Sequence, residues 1–155
     1  MASPDPPSAA AQGIDTPRLD TPLDRRLGYQ LRRASAAVLA DLARSLGDLD
    51  LKPTEASVLL VIGGDSGITQ SEIGRLLAIQ RANMAPIAAM LTKRGLVERT
   101  RADGRSQGLR LSEAGAATAA EVEQRIDAHE ARFLPDLPPQ DRAALVALLR
   151  RIWSE

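Results

Sequence analysis

The strongest constraint on this chain is a pair of helix signals separated by a few residues near its middle. Thr69-Gln70-Ser71-Glu72 has the form of a capping box. In that arrangement a threonine hydroxyl and a glutamate carboxylate satisfy each other's free backbone N–H groups. Ile73, Leu76 and Leu77 supply the apolar face of a short helix, which breaks at Ala78-Ile79. A further helix reaches Lys93-Arg94 and closes at Gly95, a residue suited to the left-handed position beyond a helix end. Pro86 bears on where that helix begins. With Asn83 as N-cap the proline falls in the first turn, where its missing N–H costs nothing. A start at Gln80 sets the ring against an earlier carbonyl. The sequence therefore predicts a start at Asn83.

The flanks extend this pattern. Leu96 to Arg101 and Gln107 to Leu111 surround the turn Ala102-Asp103-Gly104-Arg105-Ser106, the sequence form of a hairpin. Gly108 predicts a weakened second strand or a bulge. Upstream, Pro53 and Glu55 open a helix through Val58, Leu59 and Ile62 that stops at Gly63-Gly64. The loop Gly63-Gly64-Asp65-Ser66-Gly67 lacks the Lys-Ser/Thr pair of a phosphate-binding loop and reads as a turn. An earlier helix is expected from Thr21 as N-cap and Pro22, with Leu27, Leu31, Ala34, Val38, Leu42 and Leu46 as one stripe. Ser112-Glu113 opens another, carrying Ala119, Val122, Ile126, His129 or Glu130, and Phe133, and ending at Leu134-Pro135. A last helix begins near Pro138-Pro139 and presents Leu145, Leu148, Leu149 and Ile152. Residues 1–20 hold Pro4, Pro6, Pro7 and Pro17 and few large apolar residues, so a disordered tail is expected.

The order of elements is that of a helix-turn-helix followed by a wing, a mainly α fold with one small β-hairpin. A length of 155 residues suits one domain. Such a winged unit needs only three helices for its core, so the terminal helices are expected to pack against a second copy of the chain.

Composition excludes several kinds of function. The chain has no cysteine and only His129 as histidine, so thiolate chemistry and histidine-cluster metal sites are not expected. No nucleophile and base stand in a recognisable arrangement, so an enzyme is not expected, nor is a cofactor. Aromatic residues make up 2%, too few for a base-stacking platform that binds single strands. No apolar stretch approaches a membrane span, and a cytoplasmic protein is expected. The formal net charge is zero, yet between Arg75 and Arg110 eight cations face only Glu98 and Asp103. A local surplus of this kind is the electrostatic footprint of a DNA-facing surface.

Taken in order, several motifs resemble the multiple-antibiotic-resistance regulator (MarR) family of bacterial transcription factors. They are Ile68-Thr69-Gln70-Ser71-Glu72-Ile73-Gly74, the run from Met90 to Arg99, Asp103-Gly104-Arg105, and Leu111-Ser112-Glu113-Ala114-Gly115. The resemblance runs from about Leu23 to Trp153. It implies a winged helix-turn-helix over 48–112, dimerisation helices over 21–47 and 113–155, and a domain spanning 21–155. Lys52 in place of a Ser or Thr cap, Gly74 in place of alanine, and Gln107-Gly108 in place of apolar residues depart from the family pattern. They predict a less stable second helix and wing.

The resemblance implies a homodimeric regulator of palindromic double-stranded DNA, in most members a repressor released by a small effector. Arg81 and Asn83 would enter the major groove, where arginine reads guanine and asparagine adenine; in the plainer reading Asn83 only caps and Arg81 touches phosphate. Thr69, Gln70 and Ser71 suit a phosphate or serve purely as caps. Arg99 and Arg101 belong to the basic wing, Arg105 resembles the family arginine of the minor groove, and Asp103 the acid that holds an arginine in place. Tyr29 and Arg33, one turn apart, are the candidate site for an aromatic carboxylate, and His129 is either a packed or interface residue or part of a ligand pocket. The alternative is a winged-helix protein-interaction module without DNA binding.

Overall fold

The computed structural model describes residues 21–101, 107–135 and 137–153. Its helices are α1 (Leu27–Ser45), α2 (Pro53–Gly64), α3 (Gln70–Leu76), α4 (Arg81–Lys93), α5 (Glu113–Phe133) and α6 (Pro139–Trp153). Between α4 and α5 stand β1 (Val97–Arg101) and β2 (Gln107–Leu111), and a single 3-10 turn covers Gly47–Leu49. The chain falls into two compact units that divide after Ala34, within α1.

In the first unit the expected helix start at Thr21 is displaced to Leu27. The Asp24 carboxylate accepts the Thr21 backbone N–H at 2.7 Å, and the Asp24 N–H returns to the Thr21 carbonyl at 3.0 Å. The acid expected in a first helical turn closes a separate turn instead. Gln30 reaches back to the Asp24 carbonyl at 2.7 Å and bridges that turn to α1.

In the second unit the core is built where α2, α3, α4, the hairpin and α5 meet. Val58, Leu59, Ile62, Ile73, Met84, Leu91, Leu109 and Val122 are each exposed by 2% or less. Burying a side chain of this size contributes about 1.5–3 kcal/mol. Helix α2 begins at Pro53, as expected, and Glu55 takes over the capping that Lys52 cannot perform by accepting the Lys52 backbone N–H at 2.8 Å. Ser112 caps α5 by accepting the Gly115 N–H at 2.9 Å while its hydroxyl donates to the Gly95 carbonyl at 2.5 Å. One serine thereby joins the end of α4 to the start of α5.

The expected start of α4 at Asn83 is not observed. Gln80 is the N-cap and its carbonyl accepts from both Asn83 and Met84, at 2.8 and 3.1 Å, which leaves Pro86 inside the helix. Tertiary packing decides the matter: Met84, Ala88 and Leu91 lie on one buried stripe that holds the helix together through the proline. Ala82, whose carbonyl loses its intrahelical donor, is exposed.

Gly108 marks no bulge. The hairpin register is unbroken from Val97 opposite Leu111 to Arg101 opposite Gln107. A Cβ on Gly108 would overlap the backbone of Gly67, because the segment before α3 runs against β2. Gly67 donates to the Leu109 carbonyl at 2.8 Å, and Leu109 donates to Ile68 at 2.9 Å. Glycine here permits a third extended segment to join the hairpin.

Two arginines fasten the loop before α2. Arg94 donates to the carbonyls of Asp50 and Leu49 at 2.5 and 2.9 Å. Arg125 of α5 binds the Ser45 carbonyl at 2.9 Å and forks onto the Asp48 carboxylate.

Candidate nucleic-acid interface

The geometry of α3 and α4 follows from a tight connection. Ala78 adopts a left-handed φ of 52°, unusual for a residue with a side chain, and Ile79 donates to the Gly74 carbonyl at 2.8 Å. A Cβ at Gly74 would approach the Ile79 carbonyl oxygen to 3.1 Å, so glycine in place of alanine suits this close turn. Between the helices lies an open groove of about 650 Å³, bounded by Gln70, Ser71 and Arg75 on one side and by Arg81 and Ala85 on the other.

Thr69 forms the expected capping box: its hydroxyl donates to the Glu72 carboxylate at 2.7 Å and accepts the Glu72 N–H at 3.3 Å. The hydroxyl bond from Thr69, followed by its backbone N–H, holds the Glu72 carboxyl below the usual range. Ser71 is exposed and Gln70 half-buried, both on the groove. Arg81 opens α4 and is exposed, and Asn83, third in the helix and not its cap, is exposed as well.

On the hairpin, Arg99 donates across to the Gln107 side chain at 3.1 Å, and Glu98 is matched by Arg110 at 2.6 Å. Arg101 ends β1, paired with Gln107. Asp103 and Arg105 lie outside the described residues. From the sequence, Arg75 enters only in the basic run and Gln80 only as a disfavoured helix start; both line the groove. The four-residue spacing of Arg75 behind Ser71 on α3 was the available signal.

The candidate ligand residues are distributed differently. In the first unit the guanidinium over the Tyr29 ring is that of Arg32, 5.5 Å from its centroid, while Arg33 is exposed. In the second unit His129 is 2% exposed and stacks on Phe133, with ring centroids 5.4 Å apart. Its Nε2 stands 3.2 Å from the Asp41 carboxylate, too poorly aligned to form a hydrogen bond. Asp41 instead accepts from Arg132 at 2.7 Å and Arg44 at 2.5 Å. Among the described residues no cluster of His, Asp or Glu could hold a metal ion, and no helix is long and apolar enough to cross a membrane.

Comparison with known proteins places this geometry. The profile of the MarR family matches residues 49–106. A protein assigned as transcriptional regulator for the hcr operon of Thauera aromatica is 26% identical over 132 residues, covering 83% of this chain and 80% of its own. The structure of the transcriptional repressor CouR bound to a 23-mer DNA duplex matches with a TM-score of 0.76 and 35% identity, over 84% of this chain and 94% of that one. CouR bound to p-coumaroyl-CoA matches at 0.77 and 34% identity, over 86% and 95% of the two chains. With a helix-turn-helix, a paired wing and a repressor this similar along nearly its whole length, the chain belongs to the MarR family of transcriptional regulators.

Proposed function

We propose that this chain is a homodimeric repressor that binds palindromic double-stranded DNA and is released by an aromatic acid or its CoA thioester. The observation that carries the reading is the groove between α3 and α4, whose rim holds Gln70, Ser71, Arg75 and Arg81, in a chain similar to a repressor whose structure is bound to a DNA duplex. Residues 48–112 are assigned to DNA and 21–47 with 113–155 to dimerisation. Gln70 and Ser71 stand where a phosphate strand would pass, Thr69 holds the start of α3, and Arg81 and Asn83 face the bases. Arg99, Arg101 and Arg105 of the wing, with Asp103 as an orienting acid, extend the contact beyond the major groove.

The dimer reading rests on exposed apolar surface. Helix α6 has no buried side chain, and Leu148, Ile152 and Trp153 are 55%, 55% and 67% exposed. A second copy is the economical cover for such faces. The effector reading rests on the p-coumaroyl-CoA complex of the similar repressor. In the first unit Tyr29 would offer a ring face and Arg33 a cation; His129, in the second unit, is a separate candidate contact.

Selection of duplexes from a random pool, followed by gel shift, tests the function. The expected result is a palindrome bound by two chains, with affinity lowered by an aromatic acid or its CoA thioester. Absence of any enriched duplex would favour a winged-helix protein-interaction module.

A further inference from the structure

On the regulator reading above, α4 enters the major groove, and its outward face decides which base edges can be read. Met84, Ala88 and Leu91 are buried to 2% or less and fix the inward direction. With 3.6 residues per turn, the opposite face carries Ala82, Pro86, Ala89 and Lys93, with Ala85 beside them, and all five are exposed. Thr92 is half-buried and its hydroxyl is committed to the Ala88 carbonyl at 2.8 Å. From Met84 to Thr92 the exposed surface of the helix therefore offers no free side-chain hydrogen-bond donor to a base.

The borders of this apolar strip are polar and cationic. Gln70, Ser71 and Arg75 stand across the groove, Arg81 precedes the strip and Lys93 follows it. A major groove has the complementary layout, with phosphates along its edges and thymine C5-methyl groups on its floor. Pro86 adds an independent argument. Proline is the least favourable residue for a helix interior, and this one is exposed, outside the buried core that stabilises the helix.

We infer that α4 specifies thymine: Pro86 and the neighbouring alanines contact C5-methyl groups, while Arg81 and Asn83 confine hydrogen-bonded base reading to the first turn of the helix. Small side chains also let the helix axis approach the floor of the groove closely. The resulting half-site has a hydrogen-bonded end and a methyl-read end.

The test uses the intact protein and the palindromic duplex selected by it. Each thymine in turn is replaced by deoxyuridine, which removes one methyl and leaves base pairing unchanged. Affinity is expected to fall about fourfold for each contacted methyl, the worth of one buried carbon group. Uracils in the flanks should have no effect. Pro86→Ala should keep the helix, since alanine favours it and the ring is exposed, and should lose the thymine-over-uracil preference at one position per half-site. A selected half-site without thymine, or full tolerance of uracil throughout it, overturns the inference and leaves the regulator reading standing. A random pool that yields no enriched duplex overturns both.

Discussion

Gly115 lies directly against the carbonyl of Leu96, so close that a Cβ on the glycine would overlap the carbonyl oxygen. The contact explains the small residue in the first turn of α5. Ser112 donates its backbone N–H to the same Leu96 carbonyl at 3.0 Å, so the start of α5 and the entry to β1 are locked together. The orientation of the long helix relative to the wing is set at this point.

Gly115→Ala is expected to destabilise the fold by about 2–4 kcal/mol, because the blocking atoms are backbone and cannot rotate away. Gly108→Ala should behave similarly through its overlap with Gly67. Gly64→Ala is the contrasting case, with nothing within 4 Å of the added carbon, and should be neutral or stabilising by about 0.5–1 kcal/mol. Urea unfolding followed by circular dichroism separates the three. Equal effects at all three positions would show that the close approaches are not tight in solution.

Replacing Leu148 and Ile152 together by glutamate should dissociate the dimer without unfolding the winged unit. Both side chains are 55% exposed, so a single chain tolerates charge there, whereas a buried interface does not. Light scattering at micromolar concentration should give a dimer for the parent and a monomer for the variant. A variant that remains dimeric would move the interface elsewhere.

The elements that were legible in the sequence are those governed by contacts within one turn. The Thr69 and Glu72 box, Pro53 at the head of α2 and Ser112 at the head of α5 all use partners three residues apart or fewer. The start of α4 was misread because the local preference of Pro86 was weighed without the buried stripe of Met84, Ala88 and Leu91 that overrides it. Gly108 was read as a defect for a related reason, since the segment that needs its missing side chain, at Gly67, is remote in sequence. Of the residues proposed to contact DNA, Gln70, Ser71 and Arg81 line one groove. Which arginine covers the Tyr29 ring could not be fixed from spacing, because Arg32 and Arg33, three and four residues on, are both its neighbours on a helix.

Acid should weaken the link between α1 and α5. The Arg132 guanidinium, and then that of Arg44, hold the Asp41 carboxyl below its ordinary value against the opposing effect of burial. A carboxyl depressed in the folded state stabilises the fold above its unfolded value, about 3.9, and this contribution is lost as pH falls through the lower folded value. The parent should therefore lose stability below about pH 4. Asp41→Asn should be less stable at pH 7 and show a shallower decline in acid. Parallel curves for parent and variant from pH 7 downward would remove Asp41 from the acid response.

Arg105→Ala should weaken DNA binding while leaving fold and dimer intact. The strands pair as far as Arg101 and Gln107, and Arg105 belongs to the connection between them in sequence. Substitutions at polar residues of a hairpin turn remove little packing, so stability should change by about 0.5 kcal/mol or less. The effect on DNA should be much larger. An arginine in the minor groove sits in concentrated negative potential and displaces condensed counterions, so its loss should lower affinity at least about tenfold and make the salt slope shallower by about one unit per half-site. If Asp103 orients an arginine of the wing, as proposed above, Asp103→Ala should do part of the same damage. Arg81→Ala should differ in kind, relaxing sequence preference at the position it reads. Equal affinity and equal salt slope for Arg105→Ala and the parent would show that the wing does not touch DNA, leaving the groove between α3 and α4 to carry the whole contact.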